Sequence, residues 1–302
     1  MVLAVDLGQS GTRMRWSGGH FESTRAKRPN ESSLDALRDV FEEVREFHEG
    51  ALRNDLVALS LTALYGNVPD PKLFGELANE YFLATDVAVI DDGLAGLIGA
   101  LGTADGVTLS VGSGIVAVAG RMGTFSHADG LGHIVGDIGG GYWLGRQALE
   151  RALATRQGRE EDLELLAFLK DEIKEFDQLP SNVGEGAHAL CISAARRVLE
   201  GAELNIAGAL TIRNHGARAL AKTVKAAWLG AGGTSQEPFS LALLGGLSRN
   251  RGYEEVITRS VLEILPSVQF SPVLGNHLDG AIAIATTMKK DVLPLLRWWH
   301  KT

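Results

Sequence analysis

A strand, a glycine turn and a second strand occur twice in this chain, and this repeat constrains the fold more than any other feature. The first copy consists of Val2 to Val5, a turn with Gly8 and Gly11, and Thr12 to Trp16. The second consists of Val107 to Val111, the turn Gly112 to Gly114, and Ile115 to Ala119. Short apolar runs bounded by glycine are typical of strands joined by tight turns. The repeat therefore predicts two units of similar design.

Helical spacing and short apolar runs alternate over the rest of the chain. Leu34 to Phe47 places apolar residues at helical spacing after Ser32 or Ser33, either of which can cap the helix. After the apolar run that ends at Ile90, the pattern changes to a small-residue helix, Gly93 to Leu101, which can approach a neighbour closely. The fold class predicted is α/β, with mixed sheets and flanking helices.

The composition is that of an acidic globular protein. With 302 residues and a formal net charge of −8, the chain can bury a core and lacks the basic face of a nucleic-acid-binding protein. It has no apolar stretch of the roughly 18 to 20 residues that a membrane helix needs. Met1 to Val5 leads to Asp6 without a secretion signal, and the single Cys191 excludes an internal disulfide. We expect a cytoplasmic protein with no nucleic-acid or membrane partner.

The first glycine turn has the residue types of a phosphate site. Asp6 ends the first strand, and the turn contains Gly8, Ser10, Gly11 and Thr12. Glycines let backbone amides approach an anion, hydroxyls add donors, and a carboxylate can hold a hydrated Mg²⁺. An ordinary hairpin turn is the alternative for this segment.

The second turn offers the same chemistry again in Gly112, Ser113 and Gly114. A nucleotide with two or three charged phosphates gains from two such turns, which favours ATP as the ligand. Gly245 and Gly246, at the end of a later strand and close to Asn250, could pack against a base or ribose, although glycine pairs also form plain turns.

Asp91 and Asp92 stand where an apolar strand gives way to a helix. A carboxylate at such a position can accept the proton of a hydroxyl that receives a phosphoryl group. One of the pair can instead be the helix N-cap. We assign the cap to Asp91 and the chemical role to Asp92.

The segment from Gly130 to Arg146 has seven glycines in 17 residues. Up to Tyr142 this composition predicts a loop shaped for close approach of a ligand. Asp137 could accept hydrogen bonds from the hydroxyls of a polyol, whereas a structural role is favoured for His133.

At this segment the chain resembles the N-acetylglucosamine kinases, which belong with the BadF/BadG/BcrA/BcrD ATPases in the actin-like, hexokinase-like superfamily. That family usually reads Gly-x-Gly-x-x-x-x-Asp-Glu-Gly-Ser-x-Tyr-Trp here, and the other segments follow in the family's order as far as Ser271 to Gly275. The resemblance implies a two-lobe actin-like (ribonuclease H-like) ATPase fold with an interdomain cleft. We expect lobes of residues 1–104, joined by a C-terminal helix at about 280–302, and 105–279.

The resemblance also implies roles for individual residues. Asp92 matches the general base of an ATP-dependent kinase that makes N-acetylglucosamine 6-phosphate, and Asp6 matches a carboxylate near Mg²⁺. Thr12 and Ser113 match hydroxyls on the phosphates, and Gly216 is aligned loosely with a contact near adenine. The implied sugar contacts are Asn30, Asp92, Gly130, Leu131, Gly132 and Asp137.

Four positions depart from the family's pattern and keep other functions open. Gly11 replaces Lys or another polar residue, Leu131 an aromatic residue, Ile138 a Glu and Gly140 a Ser. The alternatives are a broad hexokinase, a glucosamine or N-acetylmuramic acid kinase, and a sugar sensor without catalysis. An ATPase activator of a dehydratase needs iron-sulfur ligands, which a single cysteine disfavours. The apolar helices of the second lobe leave room for a homodimer.

Overall fold

The computed structural model describes residues 2–9, 11–28, 30–48, 52–64, 66–103, 105–181 and 184–302. Its strands are β1 Val2–Leu7, β2 Thr12–Trp16, β3 Gly19–Ser23, β4 Leu56–Leu61, β5 Asp86–Asp91, β6 Gly106–Val111, β7 Ile115–Arg121, β8 Thr124–Asp129, β9 Phe239–Leu244, β10 Val268–Phe270 and β11 Leu296–His300. Its α-helices are α1 Ser33–Phe47, α2 Lys72–Phe82, α3 Asp92–Leu101, α4 Gly141–Arg156, α5 Leu163–Phe168, α6 Lys170–Asp177, α7 Glu185–Glu203, α8 Ala207–Gly230, α9 Arg251–Ile264 and α10 His277–Thr287.

Two units separate within the chain. The first consists of Met1–Gly106, Gly120–Thr124 and Ser271–Thr302, and the second of Val107–Ala119 and Phe125–Phe270. Each contains one mixed sheet with helices, so the predicted fold class is confirmed. The chain returns to the first unit at Ser271, which is earlier than the predicted return near residue 280.

The sheet of the first unit has the strand order β11-β5-β4-β1-β2-β3. Strands β1, β4 and β5 are parallel neighbours, whereas β2 pairs antiparallel with β1, β3 antiparallel with β2, and β11 antiparallel with β5. Helix α1 begins after Ser32, whose side chain accepts the Leu34 N–H. Apolar residues of α1 and α2 form a buried core with alternate residues of the strands, among them Leu37 and Phe41 against Leu3 and Val5. Burial of these apolar helix residues holds α1 and α2 on the sheet.

Small residues allow α3 and α10 to pack closely, as the sequence predicted. A Cβ atom at Gly280 would lie 1.8 Å from the Ala95 carbonyl oxygen, and one at Gly99 would lie 2.1 Å from that of Asn276. Only glycine tolerates these distances. The Asn276 side chain caps α10 in a capping box with Asp279.

The second unit contains a sheet with the order β10-β9-β6-β7-β8. Strand β9 pairs in parallel with both β6 and β10. Helices α4, α7, α8 and α9 contribute to its buried core, with Val107 and Leu109 of β6 at the centre. Helices α4 and α7 pack so tightly that a Cβ atom at Gly145 would lie 1.8 Å from the Cys191 carbonyl oxygen.

The predicted C-terminal helix over residues 280–302 is wrong for its second half. Helix α10 ends at Thr287, and Leu296–His300 forms β11 on the edge of the first sheet, antiparallel to β5. Leu296 and Trp298 are buried there while Arg297 and Trp299 are partly exposed, a two-residue period that matches a strand. Among the described residues, no helix combines the length and apolar character needed to span a membrane.

Candidate functional site

The first glycine turn lies between β1 and β2. The Gly8 N–H donates to the Gly11 carbonyl oxygen at 3.0 Å, and the Gly8 carbonyl oxygen accepts the Lys27 N–H at 3.0 Å. Gly11 has a φ of +152°, and a Cβ atom there would lie 2.8 Å from the Ser23 carbonyl oxygen. The departure at Gly11 thus has a physical reason, since this backbone leaves no room for a side chain. Ser10, a predicted phosphate ligand, lies outside the described residues.

Asp6, the predicted metal ligand, is buried at the end of β1 and forms an ion pair. Its Oδ2 atom lies 2.5 Å from a guanidinium nitrogen of Arg13, the residue directly opposite it on β2. The Ser60 hydroxyl lies 3.4 Å from Oδ1. The carboxylate is therefore compensated by a cation of its own unit.

The donor chemistry at Asp6 fits Mg²⁺ bound mainly by water and phosphate. Mg²⁺ commonly takes one or two carboxylates and completes its shell with water and substrate phosphates. In the described part of the chain, no group of three or more His, Cys, Asp or Glu side chains could hold a metal. Asp6 would hold the ion as a single carboxylate, after exchange of its Arg13 partner.

Thr12 begins β2, and its side chain is fully buried. Its hydroxyl donates to the Arg25 carbonyl oxygen at 2.6 Å. This bond fixes the segment after β3 and occupies the hydroxyl's only proton. The predicted phosphate contact of Thr12 stays a prediction, and as a donor it would require this bond to break.

Asn30, a predicted sugar contact, is exposed just before α1 and has a φ of +61°. Asn adopts this left-handed conformation more readily than most residues do. The neighbouring Glu31 carboxylate binds the Arg25 guanidinium, which lowers the pKa of Glu31 to about 2. The segment that presents Asn30 is thus held by an ion pair.

Asp91 and Asp92 have different environments. Asp91 is 1% exposed; its Oδ1 accepts the Gly93 N–H at 3.0 Å and its Oδ2 accepts the Gly66 N–H at 3.1 Å. It is the N-cap of α3, as predicted. Asp92 is the first residue of α3 and is partly exposed. Because the cap is provided by Asp91, the Asp92 carboxylate is not needed for it, and its role as the base stays a prediction.

The second glycine turn is closed in the same way and is joined to α4. The Gly112 N–H donates to the Gly114 carbonyl oxygen at 3.0 Å. The Gly112 and Ser113 carbonyl oxygens accept the N–H groups of Gly141 and Tyr142 at 2.8 and 3.1 Å. The first turn of α4 therefore fixes this glycine turn, while the Ser113 side chain is exposed.

Asp137 provides the carboxylate of the second turn from a later part of the chain. Its Oδ1 accepts the Ile115 N–H at 2.9 Å, and its own N–H donates to Asp129 Oδ1 at 2.9 Å. Burial raises the pKa of Asp137, with Asp129 raising it further, whereas the Ile115 hydrogen bond and His133 lower it. A Cβ atom at Gly114 would lie 2.8 Å from Asp137 Oδ2. The structure thus joins a predicted sugar residue to a predicted phosphate turn.

The predicted sugar loop exposes apolar side chains. Gly130 and Gly132 have φ values of +75° and +83°, which a residue with a Cβ atom adopts only at a cost. Leu131, between these two glycines, is 66% exposed. Ile138, later in the loop, is 39% exposed. The departures at Leu131 and Ile138 therefore change the surface of this loop, not its core.

Three aromatic rings contact one another beside this loop. The ring of His133 lies 4.6 Å from that of Tyr142 and 4.7 Å from that of His188, centroid to centroid. Tyr142 and His188 are stacked at 4.7 Å. Burial, with a smaller effect of His133, lowers the pKa of His188. The structural role favoured for His133 matches this packing.

Gly216 lies in α8. Its lack of a side chain lets α8 pack closely against Tyr253 and Gly139. A Cβ atom there would lie 2.8 Å from the Tyr253 hydroxyl oxygen and 3.1 Å from Gly139 Cα. The Tyr253 hydroxyl donates to the Gly139 carbonyl oxygen at 2.8 Å. The space for a side chain at Gly216 is filled by protein, and its predicted contact near adenine stays a prediction.

Gly245 and Gly246, after β9, differ in the space available for a side chain. Gly245 has a φ of +91°, and a Cβ atom there would lie 2.5 Å from the Val111 carbonyl oxygen. At Gly246 no atom lies within 4 Å of such a Cβ. The Asn250 side chain caps α9 by accepting the Tyr253 N–H at 2.8 Å. Both glycines are exposed, and of the two only Gly246 leaves room for a Cβ atom.

The comparison of sequences finds one kinase that matches over nearly the whole chain. The chain is 26% identical, over 94% of its length and 97% of the relative's, to the N-acetylmuramic acid/N-acetylglucosamine kinase of Clostridium acetobutylicum. No protein-family model matches the chain.

Solved structures match nearly the whole chain as well. A candidate N-acetylglucosamine kinase from Chromobacterium violaceum aligns with a TM-score of 0.66, 19% identity and coverage of 94% of this chain and 98% of that one. A ROK family glucokinase from Streptomyces griseus, in complex with glucose and AMPPNP, aligns with a TM-score of 0.55, 17% identity and the same coverage. The chain has the actin-like fold of the sugar kinases. This confirms the resemblance identified from the sequence.

Within this actin-like fold, two groups of the predicted residues lie at the two turns. Gly8 and Gly11 lie with Asp6, and Gly112 to Gly114 lie with Asp137. Sequence reasoning missed Arg13, Asp129 and Tyr253, which contact the predicted residues Asp6, Asp137 and Asn250. The alternation along Thr12 to Trp16 places Arg13 on the same side of the sheet as Asp6, and that signal could have identified it.

Proposed function

We propose that this chain is an ATP-dependent sugar kinase that phosphorylates an amino sugar, with N-acetylglucosamine and its 6-hydroxyl as the first candidate. The observation that carries the proposal is the match over 94% of the chain to a kinase named for N-acetylmuramic acid and N-acetylglucosamine. The neighbour solved with glucose and AMPPNP supports a nucleotide and a sugar as the two ligands of this fold.

In the proposed reaction, the acceptor hydroxyl oxygen forms a bond to the γ-phosphorus of ATP as the bond to the β,γ-bridging oxygen breaks. The Asp92 carboxylate accepts the hydroxyl proton, and ADP leaves with the bridging oxygen. The support for Asp92 is its place at the start of α3 with the cap already formed by Asp91. Mg²⁺, when bound near Asp6, supplies charge neutralisation for the phosphates.

The turns at Gly8 to Gly11 and at Gly112 to Gly114 would contribute backbone donors to the phosphates. Asn30 and the loop around Asp137 would contact the sugar. Because Asp137 also accepts the Ile115 N–H, a change in this loop would move the second turn with it. We place the reaction in the cytoplasm as part of the same proposal.

N-acetylmuramic acid is the second candidate substrate. The relative from Clostridium acetobutylicum is named for both sugars. Leu131, in the predicted sugar loop, is 66% exposed, and an exposed apolar side chain can pack against the carbon atoms of a larger sugar substituent. Glucosamine and glucose are the further members of the series to be tested.

The test is sugar-dependent release of ADP with N-acetylglucosamine, N-acetylmuramic acid, glucosamine and glucose, with the Asp92→Asn variant as the control. We expect release with at least one N-acetylated sugar, and nuclear magnetic resonance of the product to locate the phosphate. Sugar-induced thermal stabilisation without ADP release would favour the sensor. The proposal fails if no sugar produces either effect.

A further inference from the structure

The first glycine turn contains no cation of its own. From Asp6 to Thr12 the sequence has one carboxylate and no Lys or Arg. Backbone amides and hydroxyls can approach phosphate oxygens there, but the local charge is negative. A site for the phosphates of ATP needs positive charge, which Mg²⁺ provides only in part.

Gly11 can hardly be the position of such a cation. Its φ of +152° and the 2.8 Å separation between a built Cβ and the Ser23 carbonyl oxygen exclude a side chain in this conformation. The obstruction is backbone, which does not move aside as a flexible side chain would. A cation for this turn must therefore come from a neighbouring position.

Arg13 is the next residue but one and already lies at the turn's carboxylate. It is paired in register with Asp6 across β1 and β2, and its guanidinium is 2.5 Å from Asp6 Oδ2. The Asp6 side chain is 8% exposed, but the Arg13 side chain is 44% exposed. The carboxylate is thus fixed by burial, while the guanidinium has solvent on one side and can change partner.

We propose that Arg13 is the nucleotide-binding cation of the first turn, which exchanges Asp6 for the phosphate oxygens of ATP when the nucleotide binds with Mg²⁺. The inference rests on the proposed function. Without nucleotide, the ion pair compensates the buried carboxylate. With nucleotide, Asp6 faces the hydrated ion and the planar guanidinium donates to phosphate, a geometry that suits Arg.

Arg15 provides a matched control on the same strand. It lies two residues after Arg13 on β2 and therefore on the same side of the sheet. It forms an ion pair of 2.6 Å with Asp279 of α10. The two side chains are 37% and 40% exposed. Arg15 therefore matches Arg13 in type, strand and pairing, but its partner is a helix carboxylate instead of the carboxylate at the glycine turn.

The experiment measures binding of MgATP and of adenosine by titration calorimetry to the complete chain and to Arg13→Gln and Arg15→Gln. We expect Arg13→Gln to weaken MgATP by about 10- to 100-fold, the range for a charge-assisted hydrogen bond. Adenosine, which has no phosphate, should bind within about threefold of its original affinity. Arg15→Gln should leave both ligands within the same limit.

Loss of the Arg13 charge leaves Asp6 buried without its cation, so we expect Arg13→Gln to lower the stability of the fold. In that case the same comparison is made between Asp6→Asn and the double variant Asp6→Asn/Arg13→Gln, where no buried charge remains. The expected loss of MgATP affinity is again about 10- to 100-fold.

Three outcomes overturn the inference. Equal MgATP affinity with and without the Arg13 side chain shows that it does not contact phosphate. An equal loss for adenosine and MgATP shows that the ion pair only supports the fold. If the original chain binds neither ligand, the proposed function fails together with the inference, whereas the first two outcomes leave the kinase proposal in place.

Discussion

Each of the two glycine turns is closed by a backbone hydrogen bond between glycines, but they obtain their carboxylates in different ways. In the first unit, Asp6 comes from the strand before the turn and is compensated by Arg13. In the second unit, Asp137 comes from a loop 23 residues after Gly114, is buried, and has the Asp129 carboxylate as its neighbour. A repeat in sequence therefore reproduces the turn without reproducing its electrostatics.

This difference has a physical consequence for each unit. An ion pair between a buried carboxylate and a half-exposed guanidinium can be exchanged for other charged partners. A desolvated carboxylate next to another carboxylate favours its protonated form and binds its hydrogen-bond donors less strongly when neutral. The carboxylate of the first turn is balanced by a cation, whereas that of the second supports its own backbone through the Ile115 N–H.

We expect the largest effect, a loss of turnover, at Asp92, which belongs to neither glycine turn. Asp92→Asn should lower turnover by about 100- to 10,000-fold, the scale of a general base, with MgATP affinity little changed. Steady-state kinetics and nucleotide binding measure this. Asp91→Asn is the control, since it weakens the cap of α3 and should lower stability more than turnover. Near-full turnover in Asp92→Asn would show that the base lies elsewhere.

Substituting alanine for a turn glycine should lower stability by an amount that depends on whether the new Cβ atom meets backbone or a side chain. Gly11→Ala places Cβ against the Ser23 carbonyl oxygen at positive φ, so we expect a loss of about 2–4 kcal/mol in the free energy of unfolding. Gly123→Ala, at a φ of +80° with no atom within 4 Å, is the control for strain alone and should cost about 1–2 kcal/mol.

Gly114→Ala meets the Asp137 carboxylate, which can move. Its cost in urea unfolding, about 1–3 kcal/mol, should therefore be partly recovered when Asp137→Ala is added, giving a double variant less unstable than the sum. Strict additivity would contradict the contact between these two residues.

Removing the hydroxyl of Thr12 or of Ser113 should change the free energy of unfolding by a smaller amount. Thr12→Val removes a buried donor to the Arg25 carbonyl oxygen and should cost about 1–2 kcal/mol in chemical unfolding. Ser113→Ala changes an exposed hydroxyl and should stay within about 0.5 kcal/mol. If both variants had the same stability, the distinction between a structural and an exposed hydroxyl would be lost.

The smallest effect is a change in the pH dependence of stability. Because the pKa of Asp137 is raised above 3.8, its contribution to stability is complete below that pH and is lost as the pH rises through the folded-state pKa. Asp137→Asn lacks this loss, so unfolding by urea should show the original chain falling behind the variant as the pH rises above 3.8 and through the raised pKa of Asp137.

Glu31→Gln is the matched control of opposite sign in the first unit. Its pKa is lowered from 4.5 to about 2 by Arg25, so its contribution is present above 4.5 and is lost as the pH falls through about 2. Its deficit should therefore stay constant between about pH 5 and 7. A rising deficit of Asp137→Asn over that interval would contradict the raised pKa.

Two structural features of the candidate site were predictable because they are local. The N-cap role of Asp91 follows from a carboxylate between strand and helix, and the glycine loop up to Tyr142 follows from composition. The partners of these residues were not predictable in the same way. Tyr253 and Gly139 are 114 residues apart, and no local pattern joins them.

The sequence by itself determined the two turns, their strands, the helices that pack through glycine, and the resemblance that pointed to a sugar kinase. These features depend on periodicity and on residues without a side chain, which act over a few neighbouring positions. Tertiary structure decided that Thr12 supports the fold, that Gly216 is packed against protein, that residues 296–300 form a strand, and that Arg13 holds Asp6. These outcomes depend on burial and on partners distant in the chain or across a sheet, which a local pattern does not contain.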